Sequence, residues 1–255
     1  MKNIISTVAL AAATLTLPAG AAELPAGAVK NVVLVHGAFA DATSWGPVAA
    51  ILRDKGFTVT QVDNPLTSLA DDVTATTTVL AKQDGPTVLV GHSWGGVVIG
   101  ESGNDDKVAA LVYVSAFAPD KGESLAKLGE GHEPTSLLQA LQPDDRGFLS
   151  IVPAKFRAAF AADVPEAEAA VMAQHQLPVN GTVFAEEASV AAWHDKPTYF
   201  VISAQDKGID PATQRFFAER MGAQVTEIQA SHAALISKAA DVAAVIEAAA
   251  VAAGK

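Results

Sequence analysis

The sequence predicts an α/β fold: a mostly parallel sheet of six strands, helices on both faces, and a small helical cap inserted before the penultimate strand. Three observations predict it. Short β-branched apolar runs alternate with helix-like stretches over most of the 255 residues. Those runs are apolar at consecutive positions, the pattern of strands buried on both faces and so of a parallel sheet covered by helices. The alternation breaks once, between about 119 and 194, and then resumes.

Taken in order, "NVVLVHG" (31–37) reads as the first strand and 44–55 as a helix. "FTVTQVD" (57–63) is a strand, 68–83 a Thr- and Ala-rich helix, and "PTVLVGH" (86–92) the next strand. A helix starts in "WGGVVIGES" (94–102), and "VAALVYVSAF" (108–117) is another buried strand. The interrupted stretch is polar at first and helical in its middle, over 153–176, which suits an insertion lying across the strand ends. The rhythm returns with "PTYFVISA" (197–204), a helix over 211–221, "AQVTEIQA" (223–230) and an Ala-rich helix from Lys238. A chain of this length builds one sizeable α/β domain, expected over 23–255.

Composition narrows the function classes. Apolar residues are 50% of the chain and aromatics 6%, which suits an aliphatic core. The net charge of −11 and the lack of any basic run disfavour nucleic acid and anionic lipid as partners. With no cysteine, disulfides, thiol catalysis and a lipoprotein anchor are excluded. The first residues, "MKNIISTVALAAATLTLPAGAAE", have one cation, a short apolar stretch and small residues around Ala19–Ala22. They read as a signal peptide over 1–22, removed on export to the periplasm or the medium. A membrane span needs about 20 apolar residues, and this stretch is broken by Ser6, Thr7, Thr14, Thr16 and Pro18.

The chemistry gathers at "GHSWGG" (91–96). Gly-x-Ser-x-Gly alone arises by chance in about one chain in ten of this length. Here it follows a predicted strand and opens a predicted helix, where a sharp turn would lift the Ser93 oxygen above the sheet at a helix N-terminus. A serine hydroxyl needs an adjacent base. Of the six histidines, His36 and His92 sit at strand ends, where a structural role is the plain reading; His132, His175 and His194 fall in the insertion. His232, in "IQASHAALIS", follows the last strand at once and is the expected base. Its carboxylate partner is expected in "VISAQDKGID": Asp206 is nearer the strand end, whereas Asp210 precedes Pro211 and resembles a helix cap. An oxyanion hole would use the Trp94 N–H and a second N–H from the loop after the first strand, at Ala38 or else Phe39.

Strand order, elbow, late aspartate and final histidine together resemble an α/β-hydrolase, over essentially all of 30–253. Within that superfamily the chain is similar to a small group of plant hydroxynitrile lyases, plant methyl-ester hydrolases and bacterial esterases that includes pyrethroid-hydrolase-like proteins. "HGAFADATSW", "GHSWGG", "SAFAPDKGES" and "SAQDKGI…ASH" carry the likeness. The resemblance implies Ser93 as nucleophile with Asp206 and His232, Ala38 and Trp94 as oxyanion donors, and a cap over 119–194. The lyases carry a lysine after the histidine and a threonine beside the oxyanion loop; the corresponding places here are Ala233 and Gly37.

The expectation is hydrolysis of a small or medium carboxylic ester, with no metal or cofactor, by a monomer or homodimer that needs no membrane once its leader is removed. Phe39, Phe117, Leu125 and Leu128, with Phe148, Phe156 and Phe184, are candidates for the pocket wall or the core. The same side chains would also suit perhydrolysis, C–C bond hydrolysis or cofactor-free oxygen chemistry. A catalytically silent ligand receptor and a membrane-anchored interaction protein are readings from other classes.

Overall fold

The computed structural model describes Leu24 and residues 26–255, so the leader expected over 1–22 lies outside the described residues. Strand β1 (Asn31–Val35) is buried at every position, in keeping with its unbroken apolar run. A 3-10 turn over Ala42–Trp45, capped by the Asp41 carboxylate, leads into α1 (Gly46–Asp54), so the helix expected from residue 44 begins in a tighter form. Then come β2 (Thr58–Val62), α2 (Leu69–Ala81), β3 (Thr87–His92), α3 (Gly95–Ser102) and β4 (Val108–Val114).

The insertion holds α4 (Leu125–Leu128), β5 (Leu141–Pro143), β6 (Phe148–Ile151), α5 (Pro153–Phe160), α6 (Glu166–His175) and β7 (Val179–Asn180). The main rhythm resumes with β8 (Thr198–Ser203), α7 (Pro211–Arg220), β9 (Gln224–Ile228), α8 (Ala234–Ser237) and α9 (Ala239–Ala253).

Six strands form one sheet in the order β2-β1-β3-β4-β8-β9, and every neighbouring pair is parallel. Chain direction across the sheet reverses between β1 and β3, so the connections leaving those two strands part company. The crevice at their carboxyl ends is where such sheets place ligands. Here it lies between the loop after β1 and the turn after β3.

The two faces bury different residues of the same strands, as a period of two requires. Val33, Val35, Leu89, Leu111 and Phe200 pack with residues of α2, α3, α7 and the insertion. Val32, Leu34, Val88, Val90 and Val112 pack with α1 and α9. The edge strand β9 is exposed at Gln224, Val225, Thr226 and Glu227, which keeps its free side mostly polar.

The cap is not purely helical, which corrects the expectation. Strands β5, β6 and β7 make a small antiparallel sheet. Its hairpin turns at Asp144, whose carboxylate accepts from the Arg146 and Phe148 N–H groups, and at Gly147, with φ +84°. The stretch 153–176 divides into α5 and α6, because Pro165 begins the second helix and cannot continue the first.

Candidate active site

The turn after β3 is built by what its glycines lack. Ser93 takes φ +53°, a conformation that L side chains rarely adopt. It is tolerated because the flanking main chains close in. A Cβ on Gly91 would lie 2.5 Å from the Gly95 oxygen, and one on Gly95 would lie 2.6 Å from the Val35 oxygen. Only glycine fits at either place. The Ser93 N–H donates to the Val114 oxygen at 3.3 Å and the Phe117 N–H to the Ser93 oxygen at 3.2 Å, which fixes the turn to β4 and its loop.

His232 stands in the loop between β9 and α8. Its Nε2 lies 2.9 Å from Ser93 Oγ and its Nδ1 2.8 Å from Asp206 Oδ2. Asp206 follows β8, and its carboxylate also accepts from the N–H groups of Gly208 (2.7 Å) and Ile209 (3.0 Å) and from Gln214 Nε2 (2.8 Å). A carboxylate filled with donors leaves Nδ1 to carry the imidazole proton. Nε2 then offers its lone pair to the Ser93 hydroxyl. Asp210 instead caps α7, accepting from the Ala212 N–H at 2.7 Å.

Ser93 keeps 7% of its surface exposed and His232 1%, so the residue expected to stand above the sheet is buried. Hydrogen bonds tie the insertion to the loops around the two residues. The Leu137 N–H donates to the Lys207 oxygen and the Ala233 N–H to the Phe160 oxygen, while Asp163 accepts from Ser231 and Ser237. The Phe160 ring meets the His232 ring edge-on at 4.9 Å.

Neither of the other strand-end histidines reaches the serine oxygen. His92 donates from Nε2 to the His232 carbonyl oxygen at 2.9 Å, and burial holds it well below the ordinary histidine range, so it stays neutral. His36 donates from Nδ1 to the Gly37 oxygen and accepts at Nε2 from the Asn64 N–H, each at 2.9 Å. Burial lowers it too. In the insertion, His194 pairs with Asp120 at 3.0 Å, His175 bonds the Val171 oxygen and His132 is exposed.

The loop after β1 lies against the serine: a Cβ on Gly37 would be 2.8 Å from Ser93 Cβ. Ala38, Phe39 and Trp94 are buried, and among the described residues their main-chain N–H groups donate to no protein acceptor. The structure therefore leaves Ala38 and Phe39 equally free. Phe39 has φ +63°, and it packs in one apolar cluster with Trp94, to which Phe117, Leu125 and Leu128 add half-buried faces. Phe156 packs on Phe160, Phe184 meets the Trp94 ring edge-on, and Phe148 lies under the Arg146 guanidinium of its own hairpin. Among the described residues no group of three histidine, aspartate or glutamate side chains is placed to hold a metal ion.

Three contributors had no motif to announce them: Gln214, Asp163 and the buried Asp72 of α2, whose carboxylate accepts from Trp94 Nε1 at 2.7 Å.

The profile described as the alpha/beta hydrolase family matches residues 32–245. Polyneuridine aldehyde esterase of Rauvolfia serpentina is 27% identical over 248 residues, covering 84% of this chain and 92% of that one. Carbendazim hydrolyzing esterase of a Nocardioides species is 36% identical over 114 residues, 38% of this chain; the match spans only 46% of that protein. Among solved structures, a pyrethroid hydrolase superposes with a TM-score of 0.76 at 24% identity, over 89% of this chain and all of that one. That likeness carries the fold.

Proposed function

The chain belongs to the alpha/beta hydrolase family, and on that premise we propose that it is a serine hydrolase that cleaves small to medium carboxylic esters through an acyl-enzyme. Relatives named as esterases and hydrolases support esterase activity in general terms. The observation that carries the finer reading is the single imidazole bridging Ser93 Oγ and Asp206 Oδ2 at 2.9 and 2.8 Å.

Ser93 Oγ attacks the ester carbonyl as Nε2 of His232 takes its proton, and Asp206 stabilises the imidazolium. The oxyanion accepts from the Trp94 N–H and from Ala38 or Phe39, groups with no competing acceptor. His232 returns the proton to the leaving alcohol. Water, activated by the same ring, then releases the acid and frees Ser93.

Two positions favour hydrolysis over cyanohydrin cleavage. Ala233 is fully buried, with its N–H committed to the Phe160 oxygen. Gly37 has no space for a side chain beside Ser93. The substrate is a small molecule that reaches the serine past the insertion. We also propose export, directed by residues 1–22.

A panel of p-nitrophenyl esters run beside Ser93→Ala tests the reading. The expected result is turnover by the parent and a loss of at least about 1,000-fold in kcat for the variant, from removal of the nucleophile. Equal rates in the two proteins would overturn it. Mass spectrometry of the exported chain, with the mature N-terminus near Ala22 or Glu23, tests the leader.

A further inference from the structure

Asp72 is fully buried and has no ion-pair partner among the described residues. A buried carboxylate without a cation costs several kcal/mol unless its oxygens are filled. Both are. Oδ2 accepts from Trp94 Nε1 at 2.7 Å and Oδ1 from the Leu66 N–H at 2.8 Å. Each donor belongs to a strained, functionally placed segment: Trp94 follows Ser93, at φ +53°, and Leu66 itself has φ +58°.

The Leu66 loop also meets the insertion. Its carbonyl oxygen accepts from the Asn180 N–H at 2.9 Å, and the Leu69 N–H donates to Glu186 at 3.0 Å. Trp94 touches the insertion from the other side, edge-on to Phe184 at 5.9 Å. One carboxylate thus holds the residue whose N–H faces the reacting carbonyl and the loop on which the insertion rests.

We propose that Asp72 is a positioning residue: its carboxylate sets the Trp94 indole, and through it the oxyanion N–H, in a geometry shared with the seated insertion. This rests on the ester-hydrolase reading for its catalytic consequence. A protonated carboxyl meets one of its two N–H donors with a hydroxyl oxygen, a poorer acceptor than a carboxylate oxygen, so protonation weakens the bond to Trp94 or to Leu66.

The charged groups facing Asp72 are both acids, Asp71 from its own helix and Glu186 from the insertion. Glu101 of α3, the helix packed on α2, is committed to Ser189 and Val190. Burial, opposed by the two hydrogen bonds and helped by those acids, pushes the Asp72 carboxyl up to about 6. The ionised form of Asp72, which holds both donors, is then the one that prevails above that value.

The test uses the full chain, kcat/KM against pH, and the indole N–H resonance of Trp94, assigned by its absence in Trp94→Phe. In the parent, the indole signal should move with a midpoint near pH 6, and kcat/KM should show a step of roughly 10- to 100-fold with the same midpoint. Asp72→Asn places an NH₂ against one of the donors; its plateau kcat should fall roughly 10- to 100-fold, the worth of one hydrogen bond to a charged group. The step near pH 6 should vanish from its kcat/KM profile and its indole signal should stay still. If Asp72→Asn does not fold, Trp94→Phe, which keeps a ring against Phe184, should lose the same step.

An indole signal that does not move between pH 5 and 8, or a step near pH 6 that survives Asp72→Asn, overturns the proposal. The two failures separate cleanly. A moving indole with no ester turned over removes the esterase reading and keeps the coupling. Ester turnover with a still indole does the reverse.

Discussion

Gln214 shows how much a single amide decides. Its Nε2 donates to Asp206 Oδ2 at 2.8 Å and to the Ile209 oxygen at 2.9 Å, and its Oε1 accepts from the Ser203 N–H at 3.1 Å. The side chain shares Oδ2 with His232 and so limits how far the carboxylate can turn away from the ring. Gln214→Leu removes one charge-assisted donor, worth about 1.5–3 kcal/mol, so kcat should fall roughly 10- to 100-fold with KM little changed. Steady-state kinetics on the preferred ester check this, and an unchanged kcat would leave Asp206 held by its loop alone. Ser93, Asp206 and His232 were legible because strand ends and chain order place them. Gln214 was not, since an amide at the start of a second helical turn looks like any polar surface position. Phe39 and Ala38 stay level even in the structure, as among the described residues neither N–H group has a protein acceptor.

At the scale of elements, the insertion is where sequence and structure part. Strands of three, four and two residues are too short for alternation to register, and the pairing that makes them a sheet reaches from Phe148 to Asn180. The four inner parallel strands, β1, β3, β4 and β8, were readable because each is a largely apolar, buried run, whereas the edge strands β2 and β9 interleave polar residues. What the insertion does is equally local. The end of α5 holds the His232 loop through the Phe160 oxygen and ring and the Asp163 carboxylate, which accepts from Ser231 and, at 2.8 Å, from Ser237. Asp163→Ala takes the carboxylate acceptor from the buried Ser231 hydroxyl and the half-buried Ser237 hydroxyl. Its melting temperature should drop by roughly 3–10 °C and its kcat should fall about tenfold as the ring loses its fixed approach to Ser93. A melting temperature lowered with kcat intact would make Asp163 a purely structural clamp.

For the molecule as a whole, placing an uncompensated acid beside the elbow has a consequence for stability. Asp72 titrates at 3.8 in an unfolded chain and at about 6 in the fold. Between those values the folded protein holds the extra proton, so this group's contribution to stability falls as pH rises through the window, by on the order of 3 kcal/mol in all. His36 and His92 act in the opposite sense. Burial pushes both down, so the unfolded chain takes up their protons first and their contribution is lost as pH falls below the ordinary histidine value. The total curve mixes these signs, and only a difference isolates the acid. Urea midpoints of the parent and Asp72→Asn, measured from about pH 4.5 to 8, should show the parent losing ground steadily up to about pH 6 and running parallel to the variant above about pH 7. Parallel curves over the whole range would mean that the carboxyl titrates as it does in the unfolded chain. The ionised form that holds both Trp94 and Leu66 is then the less stable one, so the protein at neutral pH spends folding stability on the geometry around Ser93.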